Sequence, residues 1–260
     1  PKSTLFRHDA NKEKREEINK AIARCKAEIE KEQCKGQLKG FEAAVKQVTS
    51  WNPYNQNASS PFFDAEWMFG VKDGFDVVIG NPPYLRIQGI RETNNEFADL
   101  LSRKYKSATG SFDLYVIFVE RAFDIIKKSG VIYYIMPVKW TNSSFGKGLR
   151  QLLSQNKSAS SIISFGAYQV FNASTYTGIQ KFSKSSLLSY LELDRDLKSN
   201  TELDSYLNCI TDEDFVNIPY DTSNAWILTS RSTYKVLEKL YKCPYRLSDI
   251  FDKIFQGIAT

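Results

Sequence analysis

Residues 74–89 read GFDVVIGNPPYLRIQG, and the fold is read outward from this stretch. Phe75–Gly80 is a short apolar run rich in β-branched residues, the mark of a buried strand. Asn81, Pro82, Pro83 and Tyr84 follow directly. Neither proline can donate a backbone hydrogen bond, so the strand stops and a rigid, donor-poor loop begins. Downstream the pattern alternates. SFDLYVIFVERAFDIIKKSG (111–130) predicts an amphipathic helix with a Lys-Lys-Ser-Gly stop, and VIYYIMP (131–137) a buried strand. SSFGKGLRQLLSQN (143–156) predicts a second helix and ASSIISFG (159–166) a third strand. Strands alternating with helices predict an α/β fold with a parallel, doubly wound sheet. In such sheets ligands bind beyond the carboxyl ends of the strands, which is where Asn81–Tyr84 fall.

The loop has a definite chemistry. The Asn81 amide offers an acceptor oxygen. The carbonyl of Pro82 is a second acceptor, its direction fixed because Pro83 restricts the residue before it. Two acceptors at fixed positions hold both hydrogens of an –NH2 group, and Tyr84 adds a flat face for stacking. The constellation fits a planar amine such as that of adenine. Hydrogen bonds to both N–H groups draw the nitrogen lone pair out of ring conjugation and make it a better nucleophile towards an electrophilic methyl group. A tight turn that happens to carry two prolines is the structural alternative. A chance match to such a motif arises about once in a hundred chains of this length, less often still directly after an apolar strand.

The rest of the chain bounds the reading. Of 260 residues, 42% are hydrophobic and 25% charged, as in an ordinary globular protein. A net charge of +5 permits a polyanionic partner without requiring one. His8 is the single histidine, and Cys25, Cys34, Cys209 and Cys243 form no C-x-x-C pair. Metal clusters and histidine triads are therefore not expected, and the cysteines read as reduced thiols of a cytoplasmic protein. No apolar run approaches a membrane span. Residues 1–48 read as a charged helical insertion, with a narrow stripe of Ile18, Ile22, Cys25 and Ile29 continued by Leu38, Phe41, Val45 and Val48. Its alternatives are a solvated hairpin and an arm that grips a partner. Asn52-Pro53-Tyr54 half-repeats the motif but follows no strand. Residues 49–190 read as the catalytic core, 191–245 as a linker with short helices, and 246–260 as the start of a further domain. A start at Pro1 and an end at FQGIAT are expected of a piece of a longer protein.

DVVIGNPPY resembles the catalytic motif of the S-adenosylmethionine-dependent amino-methyltransferases, above all the adenine-specific DNA methyltransferases. GSFDLYVIFVERAFDIIKKSGVIYYIMPVKW (110–140) is similar to the next block of that family, and FGAYQVFNASTYTGI (165–179) to a later block in which a Phe contacts the target base. RLSDIFDKIFQGIAT (246–260) resembles the opening of a target-recognition domain. With NASSPFFDAEWMFG (57–70) and the helical insertion, the pattern is similar to fused restriction–modification proteins of the Eco57I type. The resemblance implies a partial Rossmann-like (class I) methyltransferase sheet, S-adenosylmethionine as cofactor and double-stranded DNA as partner. It implies that Asn81 and the Pro82 carbonyl bind the target amine, with Pro83 fixing the turn. Tyr84 would stack on a base flipped out of the duplex. Phe171 would contact the base from the other side, and Phe118 and Tyr115 would line the cofactor pocket. An ordinary core aromatic is the alternative at Phe171 and Phe118.

The family's glycine-rich cofactor turn is absent, since no G-x-G follows a strand. Asp64 and Ser50-Trp51 are candidates for the contact with the cofactor's adenine. The expectation is therefore the target-amine half of a catalytic domain, inactive by itself. The competing readings are an RNA or protein-glutamine methyltransferase, and a non-catalytic DNA-binding specificity module.

Overall fold

The computed structural model describes residues 20, 23–28, 31, 60, 63–171, 176–193, 196–220 and 224–252. Most of the expected insertion lies outside them. So do His8, Cys34, Ser50-Trp51, the half-motif at Asn52–Tyr54, Asn172–Ser174 and the last eight residues of the chain. The chain divides into two compact units, 1–74 and 75–260, whereas the sequence reading set boundaries after residues 48, 190 and 245. In the first unit, residues 23–28 are helical, and α1 (Ala65–Phe69) is a short helix. Gly70 ends α1 in the left-handed region at φ 73°, returning its N–H to Glu66 O at 2.7 Å. A side chain there would be strained, so the stop requires glycine.

The second unit is a six-stranded sheet flanked by helices. In chain order it comprises β1 (Phe75–Gly80), α2 (Ile87–Thr93), α3 (Asn95–Lys104), α4 (Leu114–Ile125), β2 (Ile126–Pro137), α5 (Lys147–Asn156), β3 (Ala159–Ser164), β4 (Thr177–Phe182), β5 (Leu188–Glu192), α6 (Asn200–Asn208), β6 (Val216–Ile218), α7 (Arg231–Tyr241) and α8 (Leu247–Ile250). The spatial order is β1-β2-β4-β3-β5-β6. β1 and β2 are parallel, as are β3 and β5. β4 runs antiparallel between β2 and β3, and β6 antiparallel against β5. The α/β expectation stands, but the sheet is mixed rather than wholly parallel. Residues 191–245 do more than connect: β6 extends the sheet, and Tyr220 and Trp226 join the core.

Two of the crossovers between parallel strands, β1 to β2 and β2 to β3, move the same way across the sheet. Right-handed crossovers then place α4 and α5 on one face, and these helices pack against each other. Tyr115, Val116, Val119 and Ala122 of α4 and Leu149 and Leu153 of α5 meet Ile132, Tyr134 and Met136 of β2 there. A side chain of this size buried fully contributes about 1.5–3 kcal/mol relative to exposure. Val78 packs on that core. Its neighbours Val77 and Ile79 point to the opposite face, 53% and 80% exposed. β1 thus forms an edge of the sheet with an uncovered apolar side among the described residues.

The expected helix stop at Lys127–Gly130 is also corrected. α4 ends at Ile125 and passes directly into β2. Ile126 pairs with Phe75 and Val131 with Val77, so residues 127–130 bulge opposite Asp76. Lys127 Nζ reaches Asp76 Oδ1 at 2.7 Å. A Cβ on Gly130 would come within 2.9 Å of the Asp76 carbonyl oxygen, so glycine there admits the close approach rather than capping a helix. Among the described residues no helix is long and apolar enough to cross a membrane, and no cluster of three potential metal ligands occurs.

Candidate active site

Because β1, β2 and β3 point the same way, the segments that follow them emerge at one end of the sheet. Asn81–Tyr84 leaves β1 there, a tight turn follows β2, and residues 165–176 link β3 to β4. The sheet alone therefore brings Tyr84 near Phe171, residues 87 positions apart in sequence.

The loop begins at a glycine for a steric reason. A Cβ on Gly80 would stand 3.3 Å from the Tyr134 ring. Asn81 and Pro83 are exposed and Pro82 is buried. Neither the Asn81 side chain nor the Pro82 carbonyl bonds to another described residue. The two acceptors that the chemistry requires are thus uncommitted. Tyr84, by contrast, is anchored. Its Oη donates to Ile135 O of β2 at 3.0 Å. Burial pushes its hydroxyl from the usual 10.0 up to about 12. Its ring meets the Tyr115 ring edge-on, centroids 6.3 Å apart at 89°.

The exit of the loop is pinned as well. Leu114 N donates to Leu85 O at 2.8 Å and Ile87 N to Phe112 O at 3.0 Å. Arg86 and Asp113 form an isolated bridge between these bonds, with their side chains 3.9 Å apart. Glu120 closes the preceding turn by accepting from Ser107 N at 2.8 Å and Lys106 N at 3.1 Å. Asn81–Tyr84 is therefore braced by β2 on one side and by the start of α4 on the other.

The remaining expected residues divide. Phe171 is 36% exposed and rests against Tyr84, centroids 6.4 Å apart at 65°. Phe118 is 42% exposed on a helix otherwise largely buried, so it is not a core aromatic. Its carbonyl accepts from Tyr134 Oη at 3.5 Å, which places α4 beside the ring that packs on Gly80. Tyr115 is fully buried behind Tyr84 and touches Phe145 on its other side. Trp140, the aromatic after β2, is structural: its Nε1 donates to Gln180 Oε1 at 2.8 Å. Gln180 Nε2 in turn donates to Met136 O at 2.9 Å. Arg150, buried and with its ionisation lowered by that burial, donates to Trp140 O and Ser143 O. Sequence reading missed Asp113, Arg86 and Tyr134 as supports. The Asp before an apolar helix, a common N-terminal signal, was the available clue to Asp113.

Residues 3–171 match the family described as Eco57I restriction-modification methylase. The chain belongs to the Eco57I restriction-modification methylase family. It is 35% identical over 195 residues to the type II restriction enzyme and methyltransferase RM.Eco57I of Escherichia coli, covering 72% of this chain and 19% of that protein. It is 34% identical over 110 residues to the type II methyltransferase M.XhoI of Xanthomonas vasicola, covering 40% and 19%. The adenine-specific methyltransferase BrxX of Escherichia coli O9:H4 (strain HS) is 27% identical over 107 residues, covering 41% and 8%. The chain thus spans less than a fifth of the length of each of these relatives. Asn81–Tyr84, Tyr115, Phe118 and Phe171 all fall inside the stretch that matches the Eco57I family.

Proposed function

We propose that this chain carries the target-amine side of a site-specific DNA methyltransferase of a restriction–modification system, acting on the exocyclic N6 of an adenine flipped out of double-stranded DNA. One observation carries the reading. Asn81 and the Pro82 carbonyl stand uncommitted at the carboxyl end of β1, beside a Tyr84 ring that is held from behind. The family and the relatives' names support it, and BrxX supports adenine in particular.

S-adenosylmethionine, when bound, supplies an electrophilic methyl group. The described residues fit part of such a site. Phe118 offers an exposed ring on α4, at the residue whose backbone carbonyl accepts from Tyr134 Oη. Gly146-Lys147-Gly148 does not serve as a phosphate-type cradle: a Cβ on Gly146 would collide with the Trp140 carbonyl, and one on Gly148 would meet Ser107 O at 2.7 Å. These glycines exist for close packing.

The chain's own part is to orient and to polarise. Asn81 Oδ1 and the Pro82 carbonyl accept the two N6 hydrogens and turn the nitrogen lone pair out of the ring plane. Bound S-adenosylmethionine would supply the methyl group to that nitrogen, the electron pair of the methyl–sulfur bond remaining on sulfur. The surplus proton leaves N6 through one of the two acceptors to water. Tyr84 presents its face to the base. Phe171 closes the other side by swinging away from Tyr84, because a base between parallel rings needs two gaps of about 3.5 Å each. The present spacing of 6.4 Å at 65° leaves no such slot.

The test is Asn81→Ala in the full-length protein, followed by methyl incorporation into an adenine-containing duplex and by duplex affinity. Transfer should vanish while affinity stays within about twofold, because phosphate contacts dominate affinity. A variant that retains wild-type turnover would falsify the mechanism.

A further inference from the structure

Between Asp124 and Glu192 the chain has no acidic residue, although 30 of its 260 residues are Asp or Glu. The same stretch carries seven lysines and one arginine. Most of these cations are engaged inside the fold. Lys127 Nζ pairs with Asp76 Oδ1 at 2.7 Å, and Lys184 Nζ donates to Asn156 O at 2.7 Å. Lys157 and Lys181 lie over the rings of Tyr220 and Tyr133, each 5.8 Å from the centroid. Arg150 is buried against Trp140 O and Ser143 O. Lys128, Lys139 and Lys147 differ: they are exposed, and no carboxylate of the described residues pairs with them.

Two of these three stand at the end of the sheet that carries the motif loop. Lys139 follows β2, and Lys147 begins α5. Tyr84 Oη donates to Ile135 O, four residues before Lys139. Val138 N donates to Tyr176 O at 3.2 Å, in the connection that bears Phe171. Phe145, two residues before Lys147, meets the Tyr115 ring that backs Tyr84. The backbone of this turn is already fixed. Arg150 holds the carbonyls of Trp140 and Ser143 from within, and Trp226 N donates to Thr141 O at 2.8 Å. A ligand there has only side chains to order, which keeps the entropic cost low. Asn142 and Ser144, exposed between the two lysines, are neutral donors. At this end of the sheet Asp113 faces the Arg86 guanidinium at 3.9 Å, and Glu192 closes β5, two strands beyond β4.

A base seated on Tyr84 remains bonded to its sugar, and so to the phosphates on either side. Those phosphates must lie at the mouth of the site. A carboxylate there would repel them, whereas an unpaired ammonium takes the place of their counterions. We propose that the turn at residues 138–147 is a phosphate-contact surface for the DNA strand that carries the target base, with Lys139 and Lys147 as its cations. The surface positions that strand without reading its sequence. This rests on the reading of Asn81–Tyr84 as the target-amine loop.

The experiment measures the affinity of the full-length protein for an adenine-containing duplex between about 50 and about 200 mM salt, with methyl incorporation alongside. Lys139→Gln and Lys147→Gln should each make the plot of log K against log salt shallower by about 0.9, and each should weaken binding about tenfold at the low-salt end. The double arginine variant, Lys139→Arg with Lys147→Arg, keeps both charges and should keep the wild-type slope. Lys128→Gln removes another exposed lysine, about 25 Å away along β2, and should leave the slope unchanged. The surface is overturned if the double glutamine variant keeps the wild-type slope, if the double arginine variant loses it, or if Lys128→Gln flattens it as much. The two readings fail separately, because the slope is read from binding alone. A wild type that binds the duplex and methylates none overturns the amine-loop reading, and with it the assignment of the contacted strand. An unchanged slope in the double glutamine variant, with wild-type methylation intact, overturns the surface alone.

Discussion

Tyr84 shows at the scale of one residue how the site is made. Its hydroxyl is committed to Ile135 O and its ring edge to Tyr115, so one face is left for a ligand. The two functions separate by mutation. Tyr84→Phe removes the O–H···O=C bond, which should cost about 1 kcal/mol of stability, and keeps the flat face. Its urea midpoint should fall while methyl transfer stays near wild type. Tyr84→Ala removes the face, with base stacking worth about 1–3 kcal/mol, so transfer should collapse with a much smaller loss of duplex binding. An alanine variant with wild-type turnover would make Tyr84 a core aromatic and leave Asn81 and Pro82 to act alone. The sequence placed Asn81–Tyr84 correctly because prolines end strands for a reason visible in the chain itself. The same reading left Tyr115 and Phe118 together as pocket residues, and the structure separates them: Tyr115 lies among the buried Leu114, Val116, Ile117 and Val119, whereas Phe118 shares an exposed stripe with Arg121 and Asp124, a helical spacing that the sequence does carry.

At the scale of elements the least legible feature is β4. Alternating side chains indicate a strand but not its direction, and nothing local in Thr177–Phe182 says that it inserts between β2 and β3. Its register becomes understandable only in three dimensions. A Cβ on Gly178 would collide with the Ile163 carbonyl of β3 and come within 3.0 Å of Ser164 Cα. Neither contact is a flexible side-chain end, so the backbones themselves must part. Gly178→Ala should therefore destabilise the protein by about 3 kcal/mol, at the upper end for an overpacked core, although alanine is otherwise the gentler residue in a strand. The check is the denaturant midpoint. A midpoint equal to the wild type would show that β3 and β4 have slack, and that Phe171, in the connection between them, is less firmly placed than its contact with Tyr84 implies.

At the scale of the whole molecule, tyrosines join the site to the core and give the fold a weakness at high pH. Burial pushes the hydroxyls of Tyr84 and Tyr190 up to about 12 from 10.0, with Glu192 adding to the effect at Tyr190. Tyr115, Tyr134 and Tyr220 shift upward as well, each chiefly through burial. The folded state therefore keeps these protons over a range in which the unfolded chain gives them up. Below the unfolded value near 10 every phenol is protonated in both states, and the full stability is present. As the pH rises from there towards 12 the unfolded state binds fewer protons than the folded one, so stability falls with pH. Urea titrations at about pH 9 and about pH 11 should show a lower unfolding free energy at the higher value. The Tyr190→Phe variant should lose less between the two, since one of the linked protons is gone. Tyrosinate absorbance from the buried residues should appear together with the loss of the helical signal rather than before it. Equal stability at both pH values would mean that the rings behind Tyr84 are open to hydroxide, and that the motif loop lacks the dry backing on which its rigidity depends.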